Sequence, residues 1–272
     1  MTKDQCIVVI PIHSSKPSAY EIISFRQCFK ILGNHPIKVI APRHLDITEY
    51  KKAVPDFEVI FISPSWLASL KTYNKLKYSR YFYNLFNQYD FILTYELDAF
   101  VFFDRLNEWC NKNYDYIGAP WFEGFDKPHS ENKITGVGNS GFSLRKTKTM
   151  QKVLKTFYYK NPKEYNTGNR NKIIAIIKYP YRKLMNMLWH ENYTLQYNYD
   201  GCSEDRLFCV DVAKQFPLHI APIDEAIKFS FEVNPDRLFK INKNNLPMGC
   251  HAWWKYNFDF WKPFIQDQGY HW

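Results

Sequence analysis

Four short apolar runs set the frame of the N-terminal part of this chain: Cys6–Ile12, Ile37–Ala41, Phe57–Ile62 and Phe91–Tyr95. Each is of strand length and predominantly apolar, with Lys38 and Glu58 the charged exceptions, which is the pattern of a strand covered on both faces. Between them the spacing turns helical. Ile22, Ile23, Phe25, Phe29 and Leu32 lie along a helix over Ser18–Leu32 that Gly33 stops. A short helix is expected between the second and third runs. A stronger one is expected over Tyr73–Phe86, with Leu76, Tyr83 and Phe86 among its apolar positions. Strand and helix in alternation predict an α/β fold with a Rossmann-like parallel sheet flanked by helices on both faces.

After Asp98 the pattern loosens. Leu106–Cys110 reads as helix, and Tyr114–Gly118 as a short strand closed by Ala119-Pro120. Val137–Leu144 alternates around Gly138-Asn139-Ser140-Gly141 and runs into a basic helix over Lys146–Tyr158. Residues 160–200 break the globular pattern, and Ser203–Gln215 resumes it as a helix. The chain ends in a Trp- and Phe-rich stretch that holds Gly249-Cys250-His251. With 272 residues, one core suffices. The expected organisation is a single domain over 1–272, with a nucleotide-binding half (1–104), an acceptor half (105–272) and a basic helical insertion at about 160–200.

The net charge of +9 favours anionic partners. It is uneven: twelve basic residues fall between Arg145 and Lys183 against one acid, Glu164. Outside that stretch, basic residues are not interleaved with aromatics in the manner of a nucleic-acid surface, so no nucleic-acid partner is expected. Within it, Asn171–Trp189 groups apolar and basic residues around Pro180. Such a segment suits an anionic membrane interface, and equally a helical hairpin packed on the domain. The six cysteines (6, 28, 110, 202, 209, 250) contain no C-x-x-C pair and read as reduced thiols, with Cys6 and Cys28 in the core. Met-Thr-Lys-Asp-Gln leads straight into a strand, with no signal peptide and no apolar run of about twenty residues. The expected location is therefore cytoplasmic, extending to a peripheral place on the inner face of the membrane.

The fourth apolar run continues as Glu96-Leu97-Asp98-Ala-Phe-Val-Phe. Two carboxylates in so apolar a setting call for a partner, because an unpaired buried charge is costly. A divalent cation, Mg²⁺ or Mn²⁺, bound between carboxylates and phosphate oxygens is one such partner; a pair of solvated acids at a strand end is the plain alternative. The carboxyl ends of parallel strands are where open α/β sheets bind ligands. His251 stands in a Gly-containing aromatic segment and would complete the metal's protein shell if that segment folds back over the strand ends; otherwise it is structural. Glu204 and Asp205 follow Ser203 at a helix start, where a carboxylate serves either as a general base or simply as a complement to the helix dipole. Asn139, Ser140 and Gly141 allow backbone to approach a ligand, or form a tight turn. Lys75, Lys77 and Arg80, on the helix before the acidic strand, would meet phosphates or face solvent.

Taken together, the stretches Tyr-Glu-Leu-Asp-Ala-Phe-Val-Phe (95–102), Asp-Tyr-Ile-Gly-Ala-Pro-Trp-Phe (115–122), Val-Gly-Asn-Ser-Gly-Phe-Ser-Leu-Arg-Lys (137–146), Glu-Asp-Arg-Leu-Phe (204–208) and Gly-Cys-His-Ala-Trp (249–253) resemble a bacterial family catalogued as domain of unknown function 5672 and regarded as glycosyltransferases. The resemblance implies a GT-A-type mixed sheet, a nucleotide-sugar donor (a UDP-sugar), a divalent metal, and a glycan or lipid-linked acceptor in polysaccharide biosynthesis. It implies Asp98 and His251 as metal ligands, with Glu96 touching the ribose or reaching the metal through water, and Pro11 and His13 at the nucleobase. Asn139, Ser140, Gly141, Trp121 and Trp253 would lie at the sugar or acceptor. Glu204 or Asp205 would be the base of an inverting transfer. The motif opens with Glu where the fold's usual pattern has Asp, which changes reach. Two other readings compete: a metal-dependent phosphoryl or nucleotidyl transferase, which needs the same acids and histidine, and a basic membrane-binding module without catalysis.

Overall fold

A computed structural model describes residues 5–124, 132–155, 169–188, 191–193, 195–196, 203–214 and 216–271. The N-terminal part follows the expected alternation. Strand β1 (Cys6–Pro11), helix α1 (Ala19–Leu32), β2 (Ile37–Pro42), α2 (Thr48–Ala53), β3 (Glu58–Ile62), α3 (Leu70–Lys77), α4 (Arg80–Leu85) and β4 (Phe91–Tyr95) succeed one another. Ser18 caps α1 in a reciprocal pair with Glu21. The helix expected over Tyr73–Phe86 is instead two. The Ser79 hydroxyl donates to Leu76 O (2.6 Å) and accepts from Phe82 N (3.0 Å), ending one helix and capping the next. Gly33 ends α1 in a right-handed conformation (φ −62°), so the stop is not a left-handed glycine cap.

Beyond β4 the elements shorten: β5 (Phe100–Val101), α5 (Leu106–Asn111), β6 (Tyr116–Ile117), β7 (Pro120–Phe122), β8 (Ile134–Val137), β9 (Phe142–Lys146) and α6 (Thr147–Leu154). Next come α7 (Asn169–Leu188), α8 (Glu204–Arg206) and a π-helical turn over Leu207–Val212. The chain closes with α9 (Ile223–Phe229), β10 (Ser230–Phe231), α10 (Pro235–Ile241), β11 (Gly249–Cys250) and α11 (Phe258–Asp267). The main sheet has the order β3-β2-β1-β4-β9-β6. Its first four strands are parallel, β9 runs antiparallel to β4, and β6 antiparallel to β9. This is a six-stranded mixed sheet flanked by helices, as expected of the α/β fold. The strand expected over Val137–Leu144 is split by the Gly138–Gly141 turn into β8 and β9, which lie in different sheets.

Alternate residues of one strand serve opposite faces. Cys6, Val8 and Ile10 of β1 join Leu93 and Tyr95 of β4 in one core, while Ile7 and Val9 join Ile92 in the other. Both faces being apolar is what makes the runs continuous. Each side chain so buried contributes roughly 1.5–3 kcal/mol. A third, aromatic core holds Phe100, Phe231, Trp253 and Trp261 beneath a small sheet of order β10-β11-β5. The five described cysteines are free thiols, and Cys6 and Cys28 lie in the first core as expected; Cys202 and Trp189 lie outside the described residues. Among the described residues no helix is long and apolar enough to cross a membrane.

Candidate active site

The small sheet explains how distant residues meet. Strand β11 pairs parallel with β10 and antiparallel with β5. The start of β5 therefore lies beside the ends of β10 and β11. Asp98 precedes β5, Glu232 follows β10 and His251 follows β11, so all three converge at one end. The same point is the carboxyl end of β4. There Glu96 N donates to Gly141 O (2.8 Å), extending the β4–β9 pairing into the acidic turn.

His251 is the hub. Its Nδ1 lies 2.8 Å from Glu232 Oε1, and its Nε2 lies 2.9 Å from Asp98 Oδ1 and 3.7 Å from Glu96 Oε2. A carboxylate only accepts, so Nδ1 carries a proton and donates it to Glu232. Burial alone would lower the His251 pKa, but Asp98, Glu232 and Glu96 outweigh it and hold the imidazole well above its usual value. The ring lies against Gly141, where a Cβ would stand 2.0 Å from Nε2, so no larger residue fits there without displacing the histidine. Asn139 takes a left-handed conformation (φ 69°) to turn the chain. Its Oδ1 accepts from Gly141 N (2.9 Å) and Phe142 N (3.0 Å), and its Nδ2 lies 3.0 Å from His251 Nδ1.

Glu96 is shared. Its Oε1 accepts from Lys77 Nζ (3.0 Å), which also donates to Ser140 Oγ (2.7 Å) and stands 3.9 Å over the Tyr73 ring. Its Oε2 faces His251. Burial pushes the Glu96 carboxyl up, but Lys77 and His251 overcome it and hold the group well below the usual carboxylate range. The longer side chain of Glu, in place of Asp, thus reaches an internal lysine with one oxygen and keeps the other for the cluster.

Glu96, Asp98 and His251 each offer a ligand atom, all within 4.8 Å of one another. His251 Nε2 is buried and faces the two carboxylates, Asp98 Oδ1 at 2.9 Å and Glu96 Oε2 at 3.7 Å. One imidazole nitrogen and two carboxylate oxygens at a cavity suit a divalent cation that completes its shell with phosphate oxygens or water. The cavity measures about 430 Å³, and its walls include Pro11, His13, Tyr73, Glu96, Asp98 and Trp254.

The remaining sequence-derived residues fall elsewhere. Glu204 is fully buried, and its Oε2 accepts from Arg145 Nη2 (2.9 Å), itself enclosed. Burial pushes the Glu204 carboxyl up to about 7 against the opposing pull of Arg145. Asp205 accepts from Asn139 N (2.9 Å) and from Arg206 N (2.9 Å). Neither carboxylate is among the residues that wall the cavity; Asp205 holds the Asn139 turn and Glu204 pairs with Arg145 near the end of β9. Lys75 donates to Gln196 O, the Arg80 backbone N–H donates to Glu191 (2.6 Å), and Lys77 reaches the cluster through Glu96. Trp121 packs on Gly138, where a Cβ would lie 1.8 Å from its ring. Trp253 is buried in the aromatic core, with Nε1 donating to Ser24 Oγ (2.9 Å). Its neighbour Trp254 is the one that walls the cavity and stacks on Tyr20.

Sequence reasoning missed Glu232, Tyr73, Trp254 and Arg145. Glu232 had a usable signal: it ends the apolar run Phe229-Ser-Phe231, as Glu96 ends its own.

A family profile described as "Protein of unknown function (DUF5672)" matches residues 56–251. Comparison with curated proteins finds no significant match. Among solved structures, the chain is similar to mouse xyloside xylosyltransferase 1 in its apo form (11% identity, 90% of this chain and 96% of that one, TM-score 0.48). It is also similar to the galactosyltransferase LgtC in complex with donor and acceptor sugar analogs (12% identity, 96% and 95%, TM-score 0.46). A third similar structure is the apo-form glycosyltransferase GlyE of Streptococcus pneumoniae (12% identity, 96% and 62%, TM-score 0.48).

Proposed function

For this chain, which belongs to the DUF5672 family, we propose a glycosyltransferase that moves a sugar from a nucleoside diphosphate sugar to a glycan or lipid-linked hydroxyl. The observation that carries the reading is the meeting of Asp98, Glu96 and His251 at the rim of a cavity beyond the carboxyl end of β4. A donor of this class brings a diphosphate, a planar base and a sugar. The cavity offers a cation-binding cluster for the first and the Tyr73 and Trp254 rings as flat apolar walls for the second. Pro11 and His13, at the end of the first strand, complete the nucleobase end. A UDP-sugar is the donor we assign.

Asp98, His251 and Glu96 Oε2 would hold Mg²⁺ or Mn²⁺, which supplies neutralisation of the charge that builds on the departing diphosphate. The protein's own groups then set the geometry. Glu232 fixes the imidazole so that Nε2 points at the cluster. Lys77 restrains Glu96 and neutralises part of its charge, so the acids do not repel one another or the donor. Asn139 and Gly141 seat the imidazole from behind. We assign Glu204 and Asp205 no proton transfer.

Thermal unfolding with UDP, GDP and CDP, each with and without Mn²⁺, tests the reading, followed by product analysis of the stabilising nucleotide's sugar donors. The expected result is metal-dependent stabilisation by one nucleoside diphosphate and release of free sugar or transfer to an acceptor. Absence of stabilisation by every nucleotide in both conditions defeats it. Transfer of the nucleotidyl group instead of the sugar assigns the site to the competing transferase class.

A further inference from the structure

We propose that α7 is an interfacial docking helix that lays the protein on an anionic lipid surface. This is independent of the reaction at the cavity. In an ordinary surface helix the apolar stripe faces the core; α7 has the reverse arrangement. Ile173, Ile177, Tyr181, Leu184 and Leu188 succeed one another at three- and four-residue steps, and all are exposed. Ile176 and Met187 widen the same stripe, with Ile176 72% exposed. The opposite side carries Asn186, which is buried, and Tyr179, Arg182 and Met185, which are half-buried.

That opposite side is fastened to the cavity-bearing part. Asn186 Oδ1 accepts from Tyr193 N (2.6 Å), and Tyr181, in the exposed stripe, also meets the Tyr193 ring edge-on at 5.9 Å. Glu191 in turn accepts from Arg80 N (2.6 Å) and Tyr81 N (2.8 Å) at the start of α4. The outward apolar stripe is therefore held in place from within. A contiguous exposed apolar face of this kind marks an interaction surface.

Charge selects the occupant. Between Glu164 and Glu191 the sequence has no acid, while Arg170, Lys172, Lys178, Arg182 and Lys183 are basic. By helical position, Lys178 and Lys183 border the apolar stripe on its two sides, where each would meet headgroups as the stripe enters the acyl boundary. Each such cation adds about 1 kcal/mol toward an anionic leaflet. A second copy of the chain would bring the same cations against one another, which disfavours self-docking through this face. The helix is too polar to cross the bilayer, consistent with lying in its surface.

The test is co-sedimentation of the full chain with vesicles of phosphatidylcholine alone and with added phosphatidylglycerol, at low and high salt. Binding is expected to the phosphatidylglycerol vesicles and to weaken with salt. The double substitution Ile177→Glu/Leu184→Glu is expected to reduce it at least about tenfold, because two charges are placed where apolar area was buried. Lys178→Glu/Lys183→Glu is expected to abolish the preference for phosphatidylglycerol. Both pairs are exposed, so thermal unfolding should be unchanged, which separates lost docking from lost fold. No binding by the parent chain, or equal binding by the Glu variants, overturns the proposal. So does a solution mass of two chains that Ile177→Glu/Leu184→Glu halves, since the face would then belong to a dimer.

Discussion

Glu96, half-buried, and Glu204, fully buried, are both carboxylates held by a basic side chain, Lys77 in one case and Arg145 in the other. Their settings part at the second oxygen. Glu96 gives one oxygen to Lys77 and turns the other toward His251 at the cavity. Glu204 and its arginine are enclosed on all sides. The electrostatics follow: the Glu96 carboxyl is held well below its ordinary range, while burial carries that of Glu204 up to about 7. A carboxylate is available for chemistry when its partner leaves an oxygen free at a cavity, and is structural when the pair is sealed. Proximity of charge alone does not distinguish the two.

The difference can be broken most sharply at the open end. Asp98→Ala should reduce turnover about a thousandfold or more, the several kcal/mol that a lost metal ligand withdraws from transition-state stabilisation. Its unfolding temperature without nucleotide should stay near that of the parent. Turnover within a few-fold of the parent would remove the metal reading. At the sealed end the effect should be on stability instead: Arg145→Ala leaves the buried Glu204 without its partner and should cost about 3–5 kcal/mol in a denaturant titration above pH 7, where the pair is ionised.

The sealed pair also has a pH signature. With its native pKa above the unfolded value of about 4.5, Glu204 keeps a proton in the native state that the unfolded chain has released. Its contribution therefore falls as pH rises from about 4.5 to about 7, by roughly 3 kcal/mol. Glu204→Gln should remove that slope, read from chemical denaturation at stepped pH. An unchanged slope would show that Glu204 ionises normally within its ion pair.

The smallest expected effect concerns an outer partner of the cluster. Glu232→Gln keeps the size and a hydrogen bond but no longer pulls the Nδ1 proton. Mn²⁺ affinity by calorimetry should fall about 10- to 100-fold, and Glu232→Asp should recover part of it. Equal affinity in all three would make Glu232 a bystander.

What could be read in advance divides along the same line. The sheet was legible because strands apolar on both faces leave continuous runs, and Glu96-x-Asp98 because two acids interrupt one of them. His251 was legible as a candidate metal ligand only through its company. The sealed character of Glu204 was not, because its partner Arg145 sits in a strand far away and no local pattern announces burial. Trp253 and Trp254 show the limit most plainly: two adjacent tryptophans of identical chemistry, one turned into the aromatic core and the other to the cavity, a choice that the β11 register and the turn after it make and that composition cannot. The break between α3 and α4 was similarly hidden, since Ser79 acts through hydrogen bonds to the chain on either side and leaves the apolar spacing intact.

The pairing of β5 with β11 carries a consequence in time. Asp98 is made early in the chain and His251 near its end, and only the closing of that long loop brings them together. Such distant pairings form late, because chain entropy must be lost before contacts repay it. A growing polypeptide can therefore build the parallel sheet and the walls around Pro11 while its cation cluster is still in pieces. Affinity for the proposed nucleoside diphosphate sugar is therefore expected only once the final aromatic segment has docked.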